Sequence, residues 1–272
     1  MRQPFFDRFQ KLSRERDTLL CVGLDPDPAR IPGGDGNPTP AVIFDFLKEV
    51  VQATAPLAAA FKPNIAFFEA LGAPGWQLFA DLVQEIRRTD PEILIIADAK
   101  RGDIGNTAAA YARAFYQELD CDAITLSPYM GADTIEPFLT YEDRAAIVLC
   151  LTSNAGAPMF QAHGEPQLHL TVAAEMQKLK ATGKDVWMVV GATKSADQMR
   201  KIREAAPDVP WLVPGVGAQG GSMQDVLEIT GGQALINASR SILYATENRS
   251  QVAEASRKAA EEMVAEMRST LR

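Results

Sequence analysis

The residues best suited to chemistry concentrate in one stretch, Asp98-Ala-Lys-Arg-Gly-Asp-Ile-Gly-Asn-Thr107, at the end of the aliphatic run Ile93-Leu-Ile-Ile-Ala97. A short β-branched run of this kind reads as a strand buried on both faces, as in a parallel sheet. Side chains alternate along a strand, so Asp98 and Lys100 share a face and Ala99 takes the other. Asp103 follows in a turn opened by Gly102, which brings a second carboxylate near the same ammonium, in this chain or in a neighbouring copy. Carboxylate, ammonium and carboxylate at a strand end form a candidate active site. The plainer reading is an Asp98–Lys100 ion pair with Asp103 as the N-cap of the next helix. Context has to separate the two.

A second candidate lies near the C-terminus. In Pro214-Gly-Val-Gly-Ala-Gln-Gly-Gly221 the glycines let backbone N–H groups approach an anion just before a helix. Ser239-Arg240-Ser241 follows the next apolar run, and Arg240 offers a bidentate anion partner, with Gln219 a further donor. Two such parts together read as a phosphate site. His163 and His169 are the only histidines, both in or beside a long loop, and the expectation for each is a surface position. They give poor support to a Ser-His-Asp hydrolase, and no His/Cys cluster offers a transition-metal site. That loop, residues 154–166, reads as a candidate lid.

The elements that position these residues repeat about every thirty residues. An amphipathic lead-in helix spans residues 4–16, with Phe5, Phe6, Phe9 and Leu12 at helical spacing. Strands are expected at 19–25, 58–62, 93–100, 123–127, 145–152, 186–190, 211–214 and 234–237. Helices are expected at 41–55, 75–88, 104–118, 133–139, 167–182, 196–205, 222–229 and 251–267. Eight strand–helix pairs in one domain spanning residues 1–272 predict a (β/α)8 TIM barrel, with a doubly wound sheet as the alternative. Asp25, Lys62, Asp98 with Lys100, Ser127, Ser153, and Ser239 with Arg240 all fall at or just past strand ends, where barrels build active sites.

With 47% hydrophobic residues among 272, the chain has ample material for a large core. A net charge of −8 argues against a nucleic-acid or anionic-membrane partner. No apolar run approaches the roughly 20 residues of a membrane span. The charged N-terminus lacks a signal-peptide core, so a cytoplasmic location is expected. Cys21, Cys121 and Cys150 fit buried reduced thiols.

With these parts assembled, nearly the whole chain resembles the orotidine 5′-phosphate decarboxylase family, in its longer bacterial branch. The carriers are Gly23-Leu-Asp25, Phe61-Lys-Pro-Asn64, the 98–107 stretch, Leu151-Thr-Ser-Asn154, the 214–221 glycine loop and Arg240-Ser241. The resemblance implies decarboxylation of orotidine 5′-monophosphate to UMP without a cofactor or metal. It makes Lys62, Asp98, Lys100 and Asp103 a charge network around the reacting carbon, with Lys100 the proton donor. Asp25 and Lys62 hold ribose hydroxyls, Ser153 the pyrimidine, and Gln219 and Arg240 the phosphate. It further implies a homodimer in which Asp103 and Thr107 reach into the partner's site. Ser239 departs from the glycine that many relatives carry before the arginine. Two alternatives stand beside this reading: a Mg-dependent sugar-phosphate lyase or decarboxylase of the same barrel type, and a noncatalytic sugar-phosphate-binding barrel.

Overall fold

The computed structural model describes residues 2–34, 36–217 and 220–271. Eight parallel strands close into a barrel in sequential order, β1 pairing with both β2 and β8. They are β1 (Leu20–Leu24), β2 (Ala60–Pro63), β3 (Leu94–Arg101), β4 (Ala123–Leu126), β5 (Ala145–Leu151), β6 (Val186–Val190), β7 (Trp211–Pro214) and β8 (Ala234–Ala238). The helices are α1 (Phe5–Arg16), α2 (Pro40–Thr54), α3 (Ile65–Glu69), α4 (Ala73–Thr89), α5 (Gly105–Arg113), α6 (Pro158–Gln161), α7 (Leu168–Ala181), α8 (Ala196–Ala205), α9 (Met223–Thr230), α10 (Arg240–Leu243) and α11 (Val252–Leu271). This is the expected TIM barrel, not a doubly wound sheet. Its strands read as unbroken apolar runs because the interior packs one face and the helices cover the other. Every residue of β1, β2, β4, β6 and β8 is buried.

The expected helix at 133–139 is replaced by two short 3₁₀ turns, Ala132–Thr134 and Glu136–Thr140. Pro137 cannot donate to a helical ladder, and the segment is too short to continue past it. The stretch expected as one helix over 104–118 starts as α5 and widens after Arg113 into a looser turn at Ala114–Glu118. Short helices α3, α6 and α10 fall in segments expected as loops.

The lead-in helix α1 closes the N-terminal end of the barrel. Phe5 and Phe9 meet Trp187 of β6 edge-on, with ring centroids 5.3 and 5.1 Å away. Beside them Asp122, fully buried, accepts from Arg8 at 2.8 Å, Arg87 at 2.6 Å and Arg144 at 3.1 Å, and from the Ile95 N–H at 2.8 Å. One carboxylate thus joins α1, α4 and the entrances to β3, β4 and β5. Asp122→Asn removes the buried anion that these three guanidinium groups share, leaving Asp120 to Arg87 and Arg144 but depriving Arg8 of its carboxylate, and about 3 kcal/mol of stability is expected to be lost. Urea unfolding with an unchanged slope checks this; an unchanged midpoint contradicts it.

Candidate active site at the strand ends

The C-terminal ends of the strands surround a cavity of about 530 Å³. In strand order its polar rim runs through Asp25, Lys62, Asp98 and Lys100, then Thr152, Ser153 and Asn154, then Gly215, and finally Asn237, Ser239 and Arg240. Leu149, Val189 and Leu212 supply apolar lining. This is the end of the barrel from which the expected site residues project.

Asp98 is the hub of the charged side. Its Oδ2 accepts from Lys62 Nζ at 3.0 Å, and its Oδ1 accepts from Lys100 Nζ at 2.7 Å and from Thr125 Oγ1 at 2.9 Å. Lys62 Nζ also lies 3.7 Å from Asp25 Oδ1. Burial opposes charge on Asp98, but Lys62 and Lys100 outweigh it and hold the carboxyl well below the usual carboxylate range. Burial likewise opposes charge on Lys62, but Asp25 and Asp98 outweigh it and raise the ammonium above the ordinary lysine value. Both groups therefore stay ionised near neutral pH. The two lysines differ in access: the side chain of Lys62 is 6% exposed and that of Lys100 is 49% exposed. Lys62 is a fixed charge within the wall, and Lys100 is the ammonium open to an occupant of the cavity.

The alternation argument brings Asp98 and Lys100 together, but a regular pleat does not produce the contact. Between Ala97 and Arg101 the pairing with β4 slips, so that Ala97 faces Ile124 and Arg101 faces Leu126. Lys100 lies within this bulge at φ 48°, in the left-handed region that a non-glycine residue occupies at a cost. Its N–H is held by Thr125 Oγ1 at 2.9 Å, and the same hydroxyl donates to Asp98. Thr125 therefore fixes both the strained backbone of Lys100 and its carboxylate partner. Strain held by surrounding structure at a charged cavity is a mark of a functional site.

Other residues are placed less completely. Asp103 is half-buried, and its Oδ1 accepts the N–H of Ile104 at 2.8 Å. It makes no ion pair with Lys100 among the described residues, and Ile104, not Asp103, occupies the cap position of α5. The N-cap reading is thus corrected, and within one chain the network ends at Lys100. Thr107 is exposed on α5 beside Ile104, itself 55% exposed. Asp25 Oδ1 is buried without a hydrogen-bond partner, and the Tyr244 hydroxyl donates to the Asp25 carbonyl at 2.7 Å and accepts the Asp27 N–H at 2.7 Å.

At the other side of the rim, Gly221 lies against the turn after β6, where an added Cβ would come within 2.5 Å of the Ala192 Cβ. Gly191 is needed for a similar reason, since its Cβ would meet the Ser153 nitrogen at 2.9 Å. Arg240 opens α10, exposed, lining the cavity and without a protein partner among the described residues. Gln219 lies outside the described residues. Ser239 is accommodated by Gly23, where a Cβ would sit 1.8 Å from the Ser239 Oγ. Asn237 donates to that same oxygen at 3.2 Å.

Asn237, Gln161 and Tyr244, which line the cavity, and Thr125, buried behind Asp98 and Lys100, are residues that sequence reasoning did not single out. A threonine or asparagine inside an apolar strand carries no periodic signal, whereas Tyr244, four residues after Arg240, could have been sought on the same helical face. His163 is exposed as expected, but His169 is buried, 1% exposed, in the first turn of α7. The surface expectation for His169 is corrected: the preceding segment folds as α6 and covers it.

Comparison with known proteins bears on the same residues. Residues 18–256 match the family described as orotidine 5′-phosphate decarboxylase / HUMPS. The orotidine 5′-phosphate decarboxylases of Dehalococcoides mccartyi (strain CBDB1) and Herpetosiphon aurantiacus are 42% and 45% identical to the chain, over 95% and 94% of its length and 95% of theirs. The structure of Leishmania donovani UMP synthase superposes with a TM-score of 0.83 at 37% identity, covering 98% of this chain, which spans 57% of that longer protein. With the match extending over most of the barrel and both ends of the cavity, the chain belongs to the orotidine 5′-phosphate decarboxylase / HUMPS family.

Proposed function

We propose that the chain, acting as one domain, decarboxylates orotidine 5′-monophosphate to UMP in pyrimidine biosynthesis, with no cofactor. The observation that carries this is the alternation Asp25, Lys62, Asp98, Lys100 at the strand ends, with Lys100 alone presenting a half-exposed ammonium to the cavity. Loss of CO2 from C6 leaves an electron pair in the plane of the pyrimidine, outside its π system, so delocalisation cannot stabilise it. A preorganised cation in a water-poor cavity can. Lys100 then delivers a proton from Nζ to C6 and recovers one from solvent. Asp98 aims Lys100 through its 2.7 Å contact, while Lys62 helps hold the buried carboxylate ionised, so that it does not compete for the proton.

The remaining contacts follow the rim. Asp25 and Lys62 hold the ribose hydroxyls, Ser153 the pyrimidine, and Arg240 with Gln219 the phosphate. Arg240→Ala is expected to raise KM for orotidine 5′-monophosphate about 100-fold, the value of a charge-assisted bidentate contact, with a smaller change in kcat. Steady-state kinetics checks this, and an unchanged KM removes Arg240 from the phosphate site.

Asp103 and Thr107 lie on a face with exposed Ile104, and we read this face as covered by a second copy. In such a homodimer Asp103 completes the charge network of the partner's site. No helix among the described residues is long and apolar enough to cross a membrane; a cytoplasmic location fits the proposed reaction.

Ultraviolet absorbance of the purified protein with orotidine 5′-monophosphate, with and without EDTA, tests the whole reading. Conversion to UMP that ignores EDTA is expected. No conversion by folded protein favours the Mg-dependent sugar-phosphate enzyme of the same barrel type first, and binding of a sugar phosphate without turnover favours a sensor.

A further inference from the structure

We propose that Gln161 is a positioning residue for the base-binding side of the cavity, and that His169 holds it in place. The inference rests on the decarboxylase reading, because it concerns how Ser153 is presented to the pyrimidine.

Gln161 ends α6 and lines the cavity. Its Oε1 accepts the N–H of Thr152 at 2.9 Å, and its Nε2 donates to Thr152 Oγ1 at 2.9 Å. The Thr152 hydroxyl in turn donates to Asn154 Oδ1 at 2.7 Å. One side-chain amide therefore grips both the backbone and the side chain of the residue just before Ser153. β5 has ended at Leu151, so Thr152 takes its fixed position from Gln161 where the strand no longer supplies one.

Gln161 is itself anchored from behind. His169 Nδ1 lies 2.7 Å from the Gln161 carbonyl. A carbonyl oxygen only accepts, so Nδ1 carries the proton and donates. The ring is buried, and its Nε2 has no partner among the described residues. The His169 carbonyl accepts from the Cys150 thiol of β5 at 3.3 Å, tying the first turn of α7 to the strand whose end Gln161 grips. The chain of contacts runs from β5 through His169 to Gln161 and back to Thr152. This gives the otherwise unused histidine and the 154–166 segment a role at the site.

The test compares UMP with ribose 5-phosphate as competitive inhibitors of orotidine 5′-monophosphate turnover. The two share the phosphate and ribose contacts, and only UMP carries the base. Gln161→Ala is expected to weaken UMP inhibition and raise KM about tenfold, with ribose 5-phosphate inhibition unchanged. His169→Ala should produce a smaller loss of the same pattern. His169→Asn, which keeps an N–H donor near the Nδ1 position, should restore values close to those of the unsubstituted protein. Parallel weakening of both inhibitors, or unchanged UMP inhibition, overturns the proposal. If Gln161→Ala does not fold, Thr152→Val removes the hydroxyl at the other end of the contact and carries the same comparison. Failure of the unsubstituted protein to convert orotidine 5′-monophosphate is a separate outcome, and it counts against the decarboxylase reading itself.

Discussion

Lys100→Ala is expected to lower kcat by about 10,000-fold or more, because it removes both the proton donor and the nearest cation to the developing carbanion. The fold should survive. Lys100 is half exposed, and Asp98 keeps Lys62 at 3.0 Å and Thr125 at 2.9 Å after its loss. Alanine retains the Cβ, so the left-handed backbone at this position is no more strained than before. Lys100→Gly should be equally inactive, and on backbone grounds about 0.5–1 kcal/mol more stable than Lys100→Ala, since glycine adopts a positive φ without steric cost. Single-turnover assays with thermal unfolding read both quantities. Near-normal kcat in either variant would sink the proposed role of Lys100. An alanine variant that unfolds would instead show that the lysine supports the β3 bulge.

The contrast between Lys100 and its neighbours shows what the sequence could and could not disclose. Strands β6 and β7 fall at their expected limits because each is a short apolar run, the first between Asp185 and Gly191 and the second between Pro210 and Gly215. Lys62, Asp98 and Lys100 were legible because charge at the end of such a run has few structural reasons to be there. The manner of their meeting was not. Alternation along a strand presumes a regular pleat, whereas β3 bulges and Lys100 turns into the left-handed region. That geometry depends on Thr125, twenty-five residues away and indistinguishable from any strand threonine until β3 and β4 pair. Gln161, and the burial of His169, were hidden for a related reason: glycine, proline and polar residues between 154 and 166 read as loop, and α6 becomes visible only with the surface it covers. The helix expected over 133–139 failed for a local reason, because Pro137 within it cannot donate to a helical ladder and 3₁₀ turns form instead.

Asp103 poses the remaining question, since within one chain its carboxylate turns to the Ile104 N–H and adds nothing to the network at Lys100. If a second copy brings Asp103 to the site, Lys100→Ala and Asp103→Ala subunits are each inactive alone but complementary when mixed. A mixed dimer then holds one site with neither residue and one site with both, the Lys100 coming from one subunit and the Asp103 from the other. Random exchange makes about half the dimers mixed, so roughly a quarter of the sites regain full composition, as two-fold symmetry requires. Activity should rise from background to about a quarter of that of the unsubstituted protein, on a timescale set by subunit exchange. Mixing either variant with itself controls for concentration. Exchange shown by mass-tagged subunits without recovered turnover would confine the active site to one chain. In that case Asp103 belongs to the turn before α5, and Asp25, Lys62, Asp98 and Lys100 must suffice for the chemistry.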